Sequence, residues 1–504
     1  MEKGNALKVY QETNEKIRGL GLAMFLNGWD TTTEAPRASM AHRGGQIATI
    51  SGMIYELSTN PAYLEAIETL FERRAELDAI LSHEIEVTRK QILKMKNIPA
   101  AEFVEFNRLM AEIYPVYVEA KQTNNYAMYK PLLLRVIDFK KKYLVWEKTP
   151  ERKGYDILLD EFEPGYGQKE FDLFFQTLRE RLVPFAKRVS RMKLTYDKSF
   201  TKKKYPLEGQ RAFAEYLRGV LCFDPSRTVI KESEHPFTTN NGCTDVRITN
   251  HYHEDDPSSA IFSAIHEMGH GLYELQIDPS LDDTNSGGGV SMAMHESQSR
   301  LMENMIGRSE TFWKAHLPKL KELFPKQLAK TDVSDFVKHV NTVRRSLIRT
   351  EADELTYSIH VMIRYEIEKA IFSGKADLED LPGLWNKKYQ RYLGVKVPDD
   401  THGILQDVHW SQGSFGYFPT YSLGSAYAAQ IYHAMAKDVD IDAVLASGTI
   451  RPIADWLKER IHKYGSTKYP KDILRLATGE DFNPNYYVDY LIGKYSKLYG
   501  LSAE

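Results

Sequence analysis

A mostly α-helical fold is predicted by three observations. Apolar residues recur at helical spacing from Leu7 almost to Leu498. No long Pro/Ser/Gly stretch and no internal repeat interrupts them, so no linker divides the 504 residues. An apolar content of 42% is enough to bury a large core. One helical domain spanning residues 1–504 is therefore expected, with two lobes and a cleft between them as the natural place for a ligand.

Taken in order, the amino end (Met1-Glu2-Lys3-Gly4-Asn5) is polar, and the apolar run at 19–26 is too short to span a bilayer. Lys140-Lys141-Lys142 and Lys202-Lys203-Lys204 are short basic runs that read as solvated surface. With 66 basic against 69 acidic residues, the net charge of −3 gives no footprint for nucleic acid or an anionic membrane. Cys222 and Cys243 are the two cysteines, too few for a disulfide framework. A soluble, cytoplasmic protein is the expectation.

Residues 245–249 alternate apolar Val246 and Ile248 with polar Asp245, Arg247 and Thr249, which predicts a short exposed strand. An edge strand of this kind pairs with an extended peptide through its backbone, and so has little regard for side chains. His251 and His253 beyond it read as surface residues.

Asp256 followed by Pro257 marks a helix start, with a capping side chain and a residue whose missing N–H costs nothing in the first turn. Ile261, Phe262, Ile265, Met268 and Leu272 then recur at helical spacing. On the edge of that face lies His266-Glu267-Met268-Gly269-His270. Two imidazoles one turn apart reach one metal ion, and Glu267 stands beside them as a base. A chain this long shows such a pentapeptide by chance about three times in a hundred, so the capped, periodic flanks decide in its favour. The pattern points to a zinc peptidase.

A catalytic zinc site takes three protein ligands, and Glu296 is the expected third. It sits on a second helix read from Ser291 to Gly307, and the intervening segment 282–289 ends in Gly287-Gly288-Gly289. Such a link turns back and sets the helices side by side.

These motifs carry a family resemblance. His235-Pro236-Phe237, Asp245-Val246-Arg247-Ile248-Thr249 (DxRxT), the HExxH at 266–270, His295-Glu296-Ser297, Ile348-Arg349 with Ala352-Asp353 (IRxxAD) and 403–410 (GxxQDxHW) occur in one order. Together with the Trp29-Asp30 region, the chain resembles the carboxypeptidase Taq family of metallocarboxypeptidases. The resemblance implies a saddle-shaped helical zincin with a deep groove, a homodimer, and release of C-terminal residues one at a time with broad specificity. It places Glu296 on the third metal ligand and Arg349 on the substrate's terminal carboxylate, which a guanidinium grips through two parallel hydrogen bonds. Arg344 and Arg345 are read as sharing a helical stretch with Arg349.

The tetrahedral oxyanion of peptide hydrolysis needs donors besides the metal. His409 is one candidate. Tyr417 and Tyr421 follow at a spacing similar to the His and Tyr pair of angiotensin-converting-enzyme-like peptidases, with Tyr421 preferred. Zn²⁺ is the expected metal, and Co²⁺ tolerates the same ligands. The expected partners are peptides with a free C-terminus. A zinc endopeptidase or dipeptidyl carboxypeptidase shares the same catalytic helix, and a peptide-binding protein without activity is the rival class. The latter has no use for a general base.

Overall fold

The computed structural model describes residues 1–502. The chain is mostly α-helical, with one open three-stranded sheet. One continuous apolar core runs from Leu109 to Tyr499. A second, small core lies at the amino end, where Ala6, Tyr10, Tyr63, Ala66, Ile67, Leu70 and Ile85 pack together. The helices Lys3–Thr33, Pro61–Glu72 and Ala79–Asn97 supply these residues. Residues 19–26 fall inside the first of them. Among the described residues, no helix is long and apolar enough to cross a membrane. Cys222 and Cys243 are free thiols, half-buried and buried.

The sheet comprises β1 (Thr228–Glu232), β2 (Thr238–Asn240) and β3 (Val246–Asn250) in the order β1-β3-β2. β3 runs parallel to β1 and antiparallel to β2. The strand expected at the edge is therefore the central one. Its ladder is filled on both sides, because β1 (Thr-Val-Ile) supplies a second β-branched neighbour. β2 is the edge strand that lies against the helix Pro257–Leu275. No free edge on β3 is left for a peptide.

The Pro257–Leu275 helix begins as its sequence predicts: the Asp256 carboxylate accepts from the Ser259 N–H at 3.2 Å. Such a cap contributes about 1 kcal/mol. The second helix runs Met292–Arg300, capped by the Ser291 hydroxyl, and continues through a π-helical turn at Leu301–Ile306 to Gly307. Gly269 lets the two helices meet, since a Cβ there would stand 2.8 Å from the Ser299 Cα and 2.9 Å from the Gln298 carbonyl. On the opposite side, Gly424 of the helix Phe418–Met435 would place a Cβ 2.7 Å from the Glu296 side chain. Helix Met292–Arg300 is thus held between two close backbone approaches that fix where Glu296 emerges.

Candidate metal centre and peptide groove

His266, His270 and Glu296 bring one ligand atom each within 4.8 Å of one another. Glu296 Oε2 lies 3.6 Å from His266 Nε2 and 3.4 Å from His270 Nε2. Two ligands of a tetrahedral Zn²⁺ at about 2.0–2.1 Å stand roughly 3.3 Å apart, so the donor set fits the metal.

Hydrogen bonds behind the imidazoles decide which nitrogen is free. His266 Nδ1 meets Glu303 Oε2 at 3.0 Å, and this acceptor requires the proton to sit on Nδ1. His295 Nε2 lies 2.7 Å from Glu274 Oε1 and must donate, so its Nδ1 accepts from His270 Nδ1 at 2.6 Å. Both Nε2 lone pairs are left for a cation. Glu274 is itself held by the Asn240 amide on β2 (2.8 Å) and the Gly289 N–H (3.1 Å). The glycine-rich link therefore does more than turn the chain.

Arg300 Nε donates to Glu296 Oε1 at 2.6 Å, and Arg300 and Arg308 both donate to Glu303. Burial raises the Glu296 carboxyl, but Arg300 and His266 outweigh it and hold the group well below the usual carboxylate range. Burial pushes His270 down to about 3, which keeps it neutral as a ligand must be.

Glu267 neighbours the ligands without joining them. Its Oε2 accepts from the Thr238 hydroxyl at 2.6 Å, leaving Oε1 for a reacting proton. Burial pushes its carboxyl above the ordinary value, against the opposing pull of His266 and Thr238. A base so raised is better matched to neutral pH. His266, Glu267, Arg300, Arg308, Asp353 and Tyr357 are among the side chains lining a groove of about 1160 Å³.

Elsewhere in the site, His409 Nε2 lies 3.2 Å from the Tyr421 hydroxyl. His409 Nδ1 is buried and has no hydrogen-bond partner among the described residues. Burial pushes this imidazole down to about 4, so it is neutral. Burial raises the phenols of both Tyr417 and Tyr421, and the charge of Glu296 adds to it.

Arg349 is buried on a short 3₁₀ turn, Arg349–Glu351, outside any longer helix. The expected helical stretch with Arg344 and Arg345 does not form, since 342–348 is irregular and carries those two as exposed residues of the groove lining. Asp353 caps the next helix and binds the Arg344 N–H, which pulls the segment out of helical register. Arg349 donates to Asp407 Oδ1 from Nε (3.1 Å) and Nη2 (2.9 Å), and from Nη1 to Tyr357 (3.1 Å). Two of its five N–H groups remain. Its guanidinium also lies 4.8 Å from the Tyr421 ring.

The DxRxT residues do not join this cluster. Asp245 and Arg247 pair with each other through two bonds of 2.7 Å, and Arg247 lies over Phe25 and Trp29 of the first helix. Thr249, expected to bind substrate, is fully buried, and its hydroxyl accepts from Ser233 and from the Phe237 N–H. A peptide cannot reach it, because β3 is central. His253 is exposed, as expected of a surface residue, whereas His251 is half-buried with Nδ1 2.7 Å from the Ser233 carbonyl.

Sequence reasoning missed Thr238, Glu274, Glu303, Arg300 and Asp407. Glu274 was within reach: it follows His270 by four residues and so shares its helix face. Glu303 was hidden by the π-turn, which shifts the face that a regular helix would present.

Two imidazoles whose Nε2 atoms face one carboxylate, with an adjacent raised base on the lining of a deep groove, define a metal-dependent peptidase. Comparison with known proteins agrees. The chain matches the carboxypeptidase Taq (M32) metallopeptidase family over residues 9–495 and belongs to it. It is 41% identical to carboxypeptidase 1 of Bacillus subtilis, with 98% of each chain covered. It is 36% identical to thermostable carboxypeptidase 1 of Thermus thermophilus, again with 98% of each covered. The crystal structure of the M32 carboxypeptidase from Deinococcus radiodurans R1 superposes with a TM-score of 0.94 at 33% identity, covering 99% of this chain and 100% of that one. The chain is a zinc-dependent carboxypeptidase acting on peptide C-termini.

Proposed function

We propose that the enzyme removes single C-terminal residues from short peptides with broad specificity, and that Arg349 sets the cleavage position by holding the terminal carboxylate. The observation that carries this reading is the Arg349 guanidinium beside Tyr421 and Tyr357, with two N–H groups uncommitted. Asp407 orients it and offsets part of its charge. A peptide anchored there by its carboxylate lies with its last amide toward His266, His270 and Glu296.

Zinc held by these three residues supplies Lewis acidity to a water and to the scissile carbonyl. Glu267 takes the proton of the attacking water at Oε1 and passes it to the departing amine nitrogen. His409 and Tyr421 donate to the oxyanion as it forms, and Tyr421 sits between that role and the Arg349 site. Asp245 and Arg247 bear on the peptide indirectly, by holding the first helix against the sheet. The enzyme works as a cytoplasmic homodimer.

Mass spectrometry of the products from matched free and C-terminally amidated peptides tests the reading. Stepwise loss of single residues from the free peptides, and little cleavage of the amidated ones, is the expected result. Equal cleavage of both, pairwise release, or cuts inside long chains would move the enzyme to the endopeptidase or dipeptidyl class.

A further inference from the structure

The segment that carries His409 and leads to Tyr421 has no regular structure apart from the 3₁₀ turn His409–Gln412, yet its one catalytic imidazole must be placed to a fraction of an ångström. The His409 side chain makes a single hydrogen bond, to Tyr421, and its ring otherwise meets the rings of Phe418 (4.3 Å), Tyr417 (5.4 Å) and Tyr421 (5.9 Å), all on the chain just after it. Its placement is therefore inherited from the backbone on either side.

That backbone is pinned from one helix. On Glu354–Phe372, Arg364 and Glu368 stand one turn apart, both wholly excluded from solvent. Arg364 donates from Nε to Asp407 Oδ2 at 2.7 Å and from Nη2 to Gln406 Oε1 at 2.7 Å, fixing the chain just before His409. Glu368 Oε1 accepts from the Trp410 indole N–H at 2.7 Å, and Oε2 accepts from the Gly416 N–H at 2.7 Å, fixing it just after. Tyr155 donates to Oε2 as well, at 2.6 Å.

We propose that Glu368 is a positioning residue for His409, its carboxylate clamping both ends of the 410–416 turn to the same helix that anchors Asp407. The proposal rests on the reading that His409 stabilises the oxyanion. A carboxylate suits the task because, once ionised, it accepts from all three converging donors and returns none. Glutamine would turn an N–H₂ toward one of them. Packing alone does not require the charge: Trp410 already stacks on Phe415 and Tyr155 on Phe372. Burial makes an ionised group there costly and pushes its carboxyl up to about 7. The hydrogen bonds add direction to contacts that already have area.

Glu368→Gln in the zinc-loaded full-length enzyme should lower kcat by about 10- to 100-fold, the scale of a small misplacement, with KM and zinc content within about twofold of the parent. In a His409→Ala background the same change should add little, because both act through one group. Should Glu368→Gln fail to fold, Trp410→Phe removes one donor and keeps a smaller aromatic ring there, and kcat should still fall several-fold at unchanged KM. A His409→Ala enzyme as fast as the parent would sink the reading of His409 itself. If His409→Ala is slow, then unchanged kcat in Glu368→Gln or in Trp410→Phe, or losses that add fully in the double variant, would overturn the positioning role.

Discussion

The two walls of the proposed active site hold their functional groups by different physics. His266, Glu267, His270 and Glu296 project from two regular helices, so their mutual distances follow from helical geometry and from the close approach at Gly269. Arg349, His409 and Tyr421 come from a short turn, an irregular segment and a third helix. Nothing periodic relates them, and buried ion pairs do the relating: Arg364 and Arg349 share Asp407, and Glu368 ties down the turn beyond it. The first wall takes its spacing from its backbone, with Arg300 and Arg308 bracing the carboxylates of Glu296 and Glu303, whereas the second, which has no such backbone, depends on charged groups buried far from water keeping their partners.

Removing a metal ligand tests the first wall most severely. His266→Ala, His270→Ala or Glu296→Ala each takes one of three protein donors, and elemental analysis should show zinc lost together with activity. Full zinc occupancy in Glu296→Ala would remove that residue from the ligand set. A smaller effect separates holding the metal from using it: Glu267→Gln should keep zinc and lose about 10²- to 10⁴-fold in turnover, since an amide cannot accept the proton. A variant with a tenth of parental activity would exclude Glu267 as the base.

The second wall should respond more mildly. Arg349→Ala deletes charge-assisted contacts of roughly 1.5–3 kcal/mol, so kcat/KM on free peptides should fall by about one to two powers of ten. Asp407 keeps Arg364 in this variant and is not left unpaired. Amidating the substrate should cost the parent a similar factor and the variant little more, because both changes remove the same contact. Additive losses would show that Arg349 and the carboxylate do not meet.

This contrast also explains what could be read from the chain. The mostly helical fold, the capped helix at Asp256, the second helix from Ser291 to Gly307 and the three metal donors were legible, since each leaves a periodic or capping trace in adjacent residues. The strand at 246–250 was legible as a strand but not as the centre of a sheet, because its β1 partner lies 18 residues upstream by register (Thr228 opposite Val246). Asp407 stood in the GxxQDxHW motif without its role being legible, and Glu368 and Arg364 left no local trace at all. Their meaning lies in partners that only tertiary packing brings together.

Buried carboxylates on the two walls allow the comparison to be taken to its smallest expected effect. Glu163 is fully buried beneath the start of the Glu296 helix, accepting from Tyr427 at 3.0 Å and from the Ala293 N–H at 3.3 Å. Burial pushes its carboxyl up to about 8, against the pull of Ser291, Tyr427 and Ala293. Across the window from the ordinary carboxylate value to about 8, the folded chain holds a proton that the unfolded chain releases. Stability therefore falls as pH rises through that window, by up to about 1.4 kcal/mol per pH unit for one such group. Glu368, pushed up to about 7, contributes with the same sign. Glu163→Gln carries no titrating proton in either state, so its urea midpoint relative to the parent should shift in its favour between pH 5 and pH 8. Part of the slope should persist, because Glu368 remains. A difference between variant and parent that does not change with pH would mean that Glu163 is ionised in the folded enzyme throughout, one more buried charge on the helix wall beside those of Glu296 and Glu303.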